Sequence, residues 1–151
     1  MAVNRGKQFE NIVKEAFEKV EGVSVDRLHD QMTGYKVTSA NICDFIVYKK
    51  PYEYYIECKT VHGNTLPFTN ITDTQWKGLL AKAQIQGVYA GILCWWVDKD
   101  ITKFIPISAL EYFKAHGLKS IRYDTRDGTI ITGIKKRVFF DYDMEGFFNE
   151  V

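Results

Sequence analysis

Phe9, Ile12, Val13, Phe17 and Val20 recur at helical spacing, with Lys7, Glu10, Lys14 and Glu18 on the other positions. This predicts an amphipathic helix over residues 5–20, capped by Asn4 and ended by Gly22. Val23-Ser24-Val25-Asp26-Arg27-Leu28 then alternates as a strand does. Residues 29–41 hold no sustained period and carry Asp30, Thr33-Gly34, Ser39 and Asn41, which reads as a long loop or a projecting arm. Residues 43–49 and 53–61 are both rich in β-formers, and Lys49-Lys50-Pro51-Tyr52 lets the chain reverse between them as an antiparallel hairpin.

Beyond the hairpin, His62-Gly63-Asn64-Thr65 and Pro67 predict a loop, and Thr72 or Thr74 can cap a helix that carries Trp76, Leu79, Leu80 and Ala83 and closes at Gly87. Val88 to Val97 is a nearly continuous apolar run of strand length, the pattern of a central strand covered on both faces. Trp95-Trp96 in that run is read as strand packing. A strand at 102–107 leads to a helix from Ser108 as cap through His116, followed by strands at 118–123 and 129–140 joined through Asp127-Gly128 and a short helix at 143–150. Neither an internal repeat nor a linker divides the chain.

Composition agrees with an ordinary globular domain: 151 residues, 46% hydrophobic, 26% charged, three prolines. Net charge is only +1, so the molecule lacks the strongly basic balance of a dedicated nucleic-acid binder, and DNA binding would need local patches. Arg5 with Lys7, Arg27 with Lys36, and Lys135-Lys136-Arg137 are the candidates, although short basic clusters are usually solvated surface. Cys43, Cys58 and Cys94 lack the paired spacing of a zinc site and form an odd set, which fits reduced cytoplasmic thiols. No apolar run reaches the roughly 18 residues of a membrane span, and the amino terminus passes straight into the first helix, so neither export nor membrane insertion is expected.

The informative feature is Asp44 at the start of one strand and Glu57-Cys58-Lys59 on the returning one, with twelve residues between Asp44 and Glu57. A hairpin that turns about residues 50–51 pairs positions adding to 101, so Asp44 lies opposite Glu57, with Cβ atoms roughly 5 Å apart. Lys59 joins the same face because side chains two apart on a strand point the same way. By the same arithmetic Cys43 faces Cys58 on the other side, as small core residues. Two carboxylates so close repel unless a cation sits between them, and Mg²⁺ or Mn²⁺ prefers such oxygen ligands. Such an ion can activate water and offset charge on a phosphorane, with Lys59 orienting the water or stabilising that charge, so phosphodiester hydrolysis is the matching reaction. The spacing equally fits a carboxylate pair neutralised by lysine on a solvated sheet face. Apolar neighbours on both strands, Phe45-Ile46-Val47 and Tyr54-Tyr55-Ile56, favour the metal site, since buried charge is costly unless paired or metal-bound.

Asp44, Glu57 and Lys59 resemble the metal site of the PD-(D/E)XK nuclease superfamily. A wider resemblance, to the RecU family of Holliday junction resolvases, runs from about residue 4 to residue 115. It rests on Asn4-Arg5-Gly6 with Phe9-Glu10, on Tyr55-Ile56-Glu57-Cys58-Lys59-Thr60, and on Leu66-Pro67-Phe68 with Thr74-Gln75. The resemblance implies a restriction-endonuclease-like α/β fold, a mixed central sheet flanked by helices, in one nuclease domain over residues 1–151. It implies Glu10 as a further acid at the metal, where the residues alone suggest a solvent-facing glutamate, and Gln75 as a polar contact near the site. Ile42-Cys43 stands where the superfamily has its proline. Residues 29–41 are short for the stalk with which that family enters a junction; as a reduced stalk they would present Arg27, His29 and Lys36 to DNA.

The expectation is therefore a homodimeric endonuclease, dependent on Mg²⁺ or Mn²⁺, that nicks four-way junctions in pairs. Asp44, Glu57, Lys59 and Glu10 are catalytic, the three acids hold the metal, and Arg5, Lys7, Arg27, Lys36 and Gln75 meet DNA. A two-fold dimer suits a junction of near two-fold symmetry. A bacterial cytoplasm is the expected location, and the compact size also suits a phage-encoded version. The rival readings are a nuclease of the same fold acting on flaps, ends or duplex sites, and a non-catalytic DNA-binding or partner-binding module.

Overall fold

A computed structural model describes residues 4–28, 32–33, 36–37 and 41–151. Helix α1 (Arg5–Glu18) starts where the Asn4 side chain accepts the Lys7 N–H at 3.0 Å, and Gly22, at φ 77°, turns the chain into β1 (Val23–Arg27). The backbones of β2 (Met32–Thr33) and β3 (Lys36–Val37) pair as a separate ribbon. The rest of the expected arm up to residue 40, including His29, and the Lys36 side chain lie outside the described residues. Strands β4 (Phe45–Lys49) and β5 (Tyr52–Val61) form the expected hairpin in the expected register, with Phe45 opposite Ile56 and Val47 opposite Tyr54.

The chain continues through β6 (Thr65–Pro67), α2 (Asp73–Ala83), β7 (Val88–Trp96), β8 (Ile101–Pro106), α3 (Ile107–Ala115), β9 (Ser120–Arg122), β10 (Thr129–Ile130), β11 (Gly133–Lys135), β12 (Phe140–Tyr142) and α4 (Met144–Glu150). Six strands make one sheet in the order β1-β4-β5-β7-β8-β10. Every neighbouring pair is antiparallel except β5 and β7, which run parallel because α2 carries the chain back across the sheet between them.

Both faces of this sheet are covered. On one side Phe9, Val13 and Phe17 of α1 and Phe147 of α4 pack on Phe45, Val47, Ile56, Leu93, Trp95 and Phe104. On the other, Trp76 and Leu79 of α2 and Ile107 and Leu110 of α3 pack on Tyr55, Ile92, Cys94, Trp96 and Ile105. Alternate residues of β7 therefore enter opposite cores, which is why its sequence is apolar throughout; Trp95 is 1% and Trp96 0% exposed, on opposite faces. Each such large apolar side chain contributes about 1.5–3 kcal/mol by leaving water. Gly91 is demanded by the approach of β8, since a Cβ there would sit 2.3 Å from the Ile105 carbonyl oxygen. Among the described residues no helix is long and apolar enough to cross a membrane.

Several elements depart from the sequence expectation. Thr65–Pro67 is a strand, not loop, because β9 pairs with it. Helix α3 begins at Ile107 after Pro106 with no side-chain cap, so Ser108 lies inside the helix. The strand expected over 129–140 is broken: β10 extends the main sheet, whereas β11 turns back on β12 as a separate hairpin. Cys43 does not face Cys58. It packs into the α2–α3 core while Cys58 belongs to the α1–α4 core, because the regular β4 ladder stops at Phe45.

Candidate active site

The end of that ladder sets the site. The Asp44 N–H donates to the Ile56 carbonyl at 3.1 Å, and the Asp44 carbonyl accepts the Leu28 N–H at 2.8 Å, so its backbone is held between β5 and the end of β1. Its carboxylate Oδ2 accepts the Cys58 N–H at 2.8 Å. A side chain thus takes the place of a main-chain acceptor on β5. This carries Asp44 to the margin of the sheet and turns Cys43 away from Cys58.

Glu57 points into the layer beneath α2 and is 4% exposed. Two donors hold one of its oxygens: Lys59 Nζ at 3.0 Å and Gln75 Nε2 at 2.9 Å, both on Oε2. Gln75 is itself fixed by the start of α2. Its N–H donates to Thr72 Oγ1 at 3.1 Å, and its Oε1 accepts the Thr72 N–H at 3.0 Å, the reciprocal capping box of a Thr-x-x-Gln sequence. Thr72, not Thr74, is the cap.

Glu10 reaches the same place from α1. Arg27 Nη2 lies 3.4 Å from Glu10 Oε1, and Arg27 Nη1 donates to Asn11 Oδ1 at 2.6 Å. The Arg27 side chain, only 12% exposed, is thereby committed to α1. It braces Glu10. Gln75 donates one of its two amide hydrogens to Glu57. Arg5 is half-buried, with its guanidinium 5.7 Å from the centre of the Phe139 ring, and Lys7 is exposed.

The three carboxyl groups feel one another. Burial, and next repulsion from Glu57, push the Asp44 carboxyl up to about 7, although the Cys58 N–H pulls it down. Burial and then Asp44 raise Glu10, against the pull of Arg27 and Lys7. Burial raises Glu57 too, with Lys59 opposing. Among the described residues the centre is short of positive charge: Lys59 and Arg27 serve the two outer acids, and Asp44 between them pairs with no cation. His62 and His116 take no part, being bound to Asp98 and to the Tyr112 carbonyl.

Among the described residues no group of three or more His, Cys, Asp and Glu side chains is arranged to hold a metal ion as it stands. A magnesium ion does not require such a cage. It is commonly bound by one or two carboxylates and completes its shell with water and substrate phosphate. Asp44 and Glu57 are hard oxygen donors, and Glu57 raises the affinity of Asp44 for positive charge, which fits that chemistry.

Sequence reasoning missed Asn11 and the Cys58 N–H. The first depends on α1 packing beside β1, and the second is a main-chain group that no residue type reveals.

No protein-family model matches the sequence, and a search of the curated proteins finds no match. Among solved structures, the chain is similar to Hjc of Archaeoglobus fulgidus, a Holliday junction resolvase from an archaeal hyperthermophile, at a TM-score of 0.52 and 18% identity, over 83% of this chain and 87% of that one. The six-stranded mixed sheet with helices on both faces is accordingly the restriction-endonuclease-like fold.

Proposed function

We propose that this chain is a Mg²⁺-dependent endonuclease that resolves Holliday junctions as a homodimer, by paired phosphodiester hydrolysis. The observation that carries the reading is the crowding of buried and half-buried carboxyl groups around Asp44, with Lys59 at its edge, in a fold shared with a junction resolvase. A purely structural site has little use for a central acid that pairs with no cation among the described residues, because desolvated unpaired charge destabilises a fold.

Asp44 and Glu57 would hold the ion, with Glu10 beside Asp44. The bound ion would activate water and offset charge on the reacting phosphate. Lys59, already held 3.0 Å from Glu57, stands ready to orient that water or to donate to a phosphate oxygen. Gln75 keeps one Glu57 oxygen engaged and so limits the rotamers open to it. Arg27 does the same for Glu10. The finer likeness to RecU resolvases rests on the sequence blocks around Arg5, Glu57 and Gln75.

The test compares a mobile four-way junction, a flap and plain duplex of the same sequence, with Mg²⁺ and with chelator. Paired, symmetric nicks in the junction are expected, with far slower cleavage of the other two substrates. Preference for the flap or duplex would favour a different nuclease on this fold. Absence of cleavage of all three would leave only a binding module.

A further inference from the structure

The β11–β12 hairpin is absorbed neither by the sheet nor by the carboxylate site. It stands against α1, with Phe139 near its tip 5.4 Å from Trp95 and Tyr142 at its base 6.1 Å from Phe9, between ring centroids. Trp95 pairs with Thr60, the neighbour of Lys59, so the hairpin is seated at the same end of the sheet as the site, across the sheet from Lys59. The three basic residues at its tip divide by role. Lys135 is a strut, with Nζ 2.6 Å from Asp100 Oδ1 and 2.9 Å from the Val138 carbonyl. Lys136 and Arg137 are exposed and make no ion pair among the described residues.

The nearby acids are already engaged. Asp100 binds Lys135, Asp141 binds Lys19 at 3.0 Å, and Asp143 caps α4 through the Gly146 N–H. Arg5, stacked on Phe139, joins the tip to the first turn of α1, where exposed Lys7 stands three residues, about one helical turn, before Glu10. Uncompensated positive charge therefore runs from the hairpin tip to the edge of the acid cluster. In a molecule of net charge +1 such a concentration is local, and its charge complements a polyanion.

We propose that the β11–β12 hairpin is a backbone clamp for DNA, with Lys136 and Arg137 contacting phosphates of the arm that passes Arg5 and Lys7 on its way to the site. This rests on the nuclease reading for its ligand. It adds a surface that reading does not use.

Fluorescence anisotropy of a labelled four-way junction, in chelator so that nothing is cut, tests it across a salt series. The paired substitution Lys136→Ala with Arg137→Ala, at exposed positions, is compared with Lys49→Ala plus Lys50→Ala at the opposite end of the sheet. Each phosphate contact contributes about 0.9 to the slope of log affinity against log salt. The hairpin pair is expected to flatten that slope by about 1.8 and to weaken low-salt binding several-fold, with the melting temperature and the Lys49/Lys50 variant's slope unchanged. A hairpin variant with the parental slope and affinity, or a loss matched by the Lys49/Lys50 pair, overturns the clamp. If the parent binds the junction but does not cleave it with Mg²⁺, the nuclease reading falls while the slope still decides the clamp. A parent that binds no DNA overturns both.

Discussion

The two ends of the β4–β5 hairpin obey opposite rules. At its turn, polar groups face water and aromatic rings meet one another. Tyr48 and Tyr52 are 46% and 40% exposed, Tyr54 stacks on Tyr89 at 5.3 Å between centroids, and Lys49 lies over Phe148. At the open end, Asp44 and Glu57 are carboxyl groups taken out of water beside each other, and both are pushed toward protonation. One end adds to stability. The other gives some up, which a protein retains where the strained arrangement performs work.

The largest effect should come from removing the charge that breaks the rule. Asp44→Asn keeps an oxygen for the Cys58 N–H but loses the carboxylate, and cleavage should fall by on the order of a thousandfold or more. Without metal the same variant should melt a few degrees higher, since a buried repulsion is gone. Loss of activity together with a lower melting temperature would mean that Asp44 is structural. At the other end Tyr54→Ala should reverse the pattern. Emptying a ring-sized space costs about 3–5 kcal/mol, or roughly 10 °C in melting temperature, while cleavage well below the transition should stay near the parental rate.

Protonation sharpens the contrast at intermediate size. The Asp44 carboxyl moves from 3.8 to about 7, so between these values the folded chain binds more protons than the unfolded one. Stability of the metal-free protein should therefore fall as pH rises through that window, the reverse of a salt-bridged aspartate. A divalent ion requires ionised carboxylates, so its stabilising effect should grow over the same range. Melting curves at pH 5 and pH 8, with and without Mg²⁺, check both signs. An Mg²⁺ shift equal at the two values, or absent at both, would remove the case for a metal at Asp44.

Much of this contrast is legible in the residue order. The hairpin register follows from alternation and a short turn, and it brings Asp44, Glu57 and Lys59 together without tertiary information. The doubly covered β7 is readable for the same reason, an unbroken apolar run. What is not readable depends on elements meeting late in the fold. The contacts of Arg27 with Glu10 and Asn11 are one case, because these partners lie on a separate helix. Cys43 reads as facing Cys58 because extrapolating the ladder past Phe45 ignores the carboxylate that ends it. Residues 129–140 read as one strand because nothing local says that β10 joins the sheet while β11 leaves it.

Gln75 gives the finest test, because it belongs to both kinds of structure. Its Oε1 and N–H cap α2 through Thr72, a contribution of about 1 kcal/mol, while its Nε2 holds Glu57 Oε2 at 2.9 Å. Gln75→Ala removes the Oε1 half of the cap and the hold on Glu57 but keeps the backbone half, and should lower the melting temperature by about 1–2 °C and cleavage by roughly 10- to 100-fold. Gln75→Glu retains the acceptor for the Thr72 N–H, so α2 should remain capped. It replaces the donor with a carboxylate facing Glu57, which drives Glu57 further toward protonation. The pH of half-maximal cleavage should then move upward in the Glu variant, with little loss of stability. If instead activity follows stability in both variants and the pH profile stays where it was, Gln75 is a cap alone, and Glu57 is positioned by Lys59 without it.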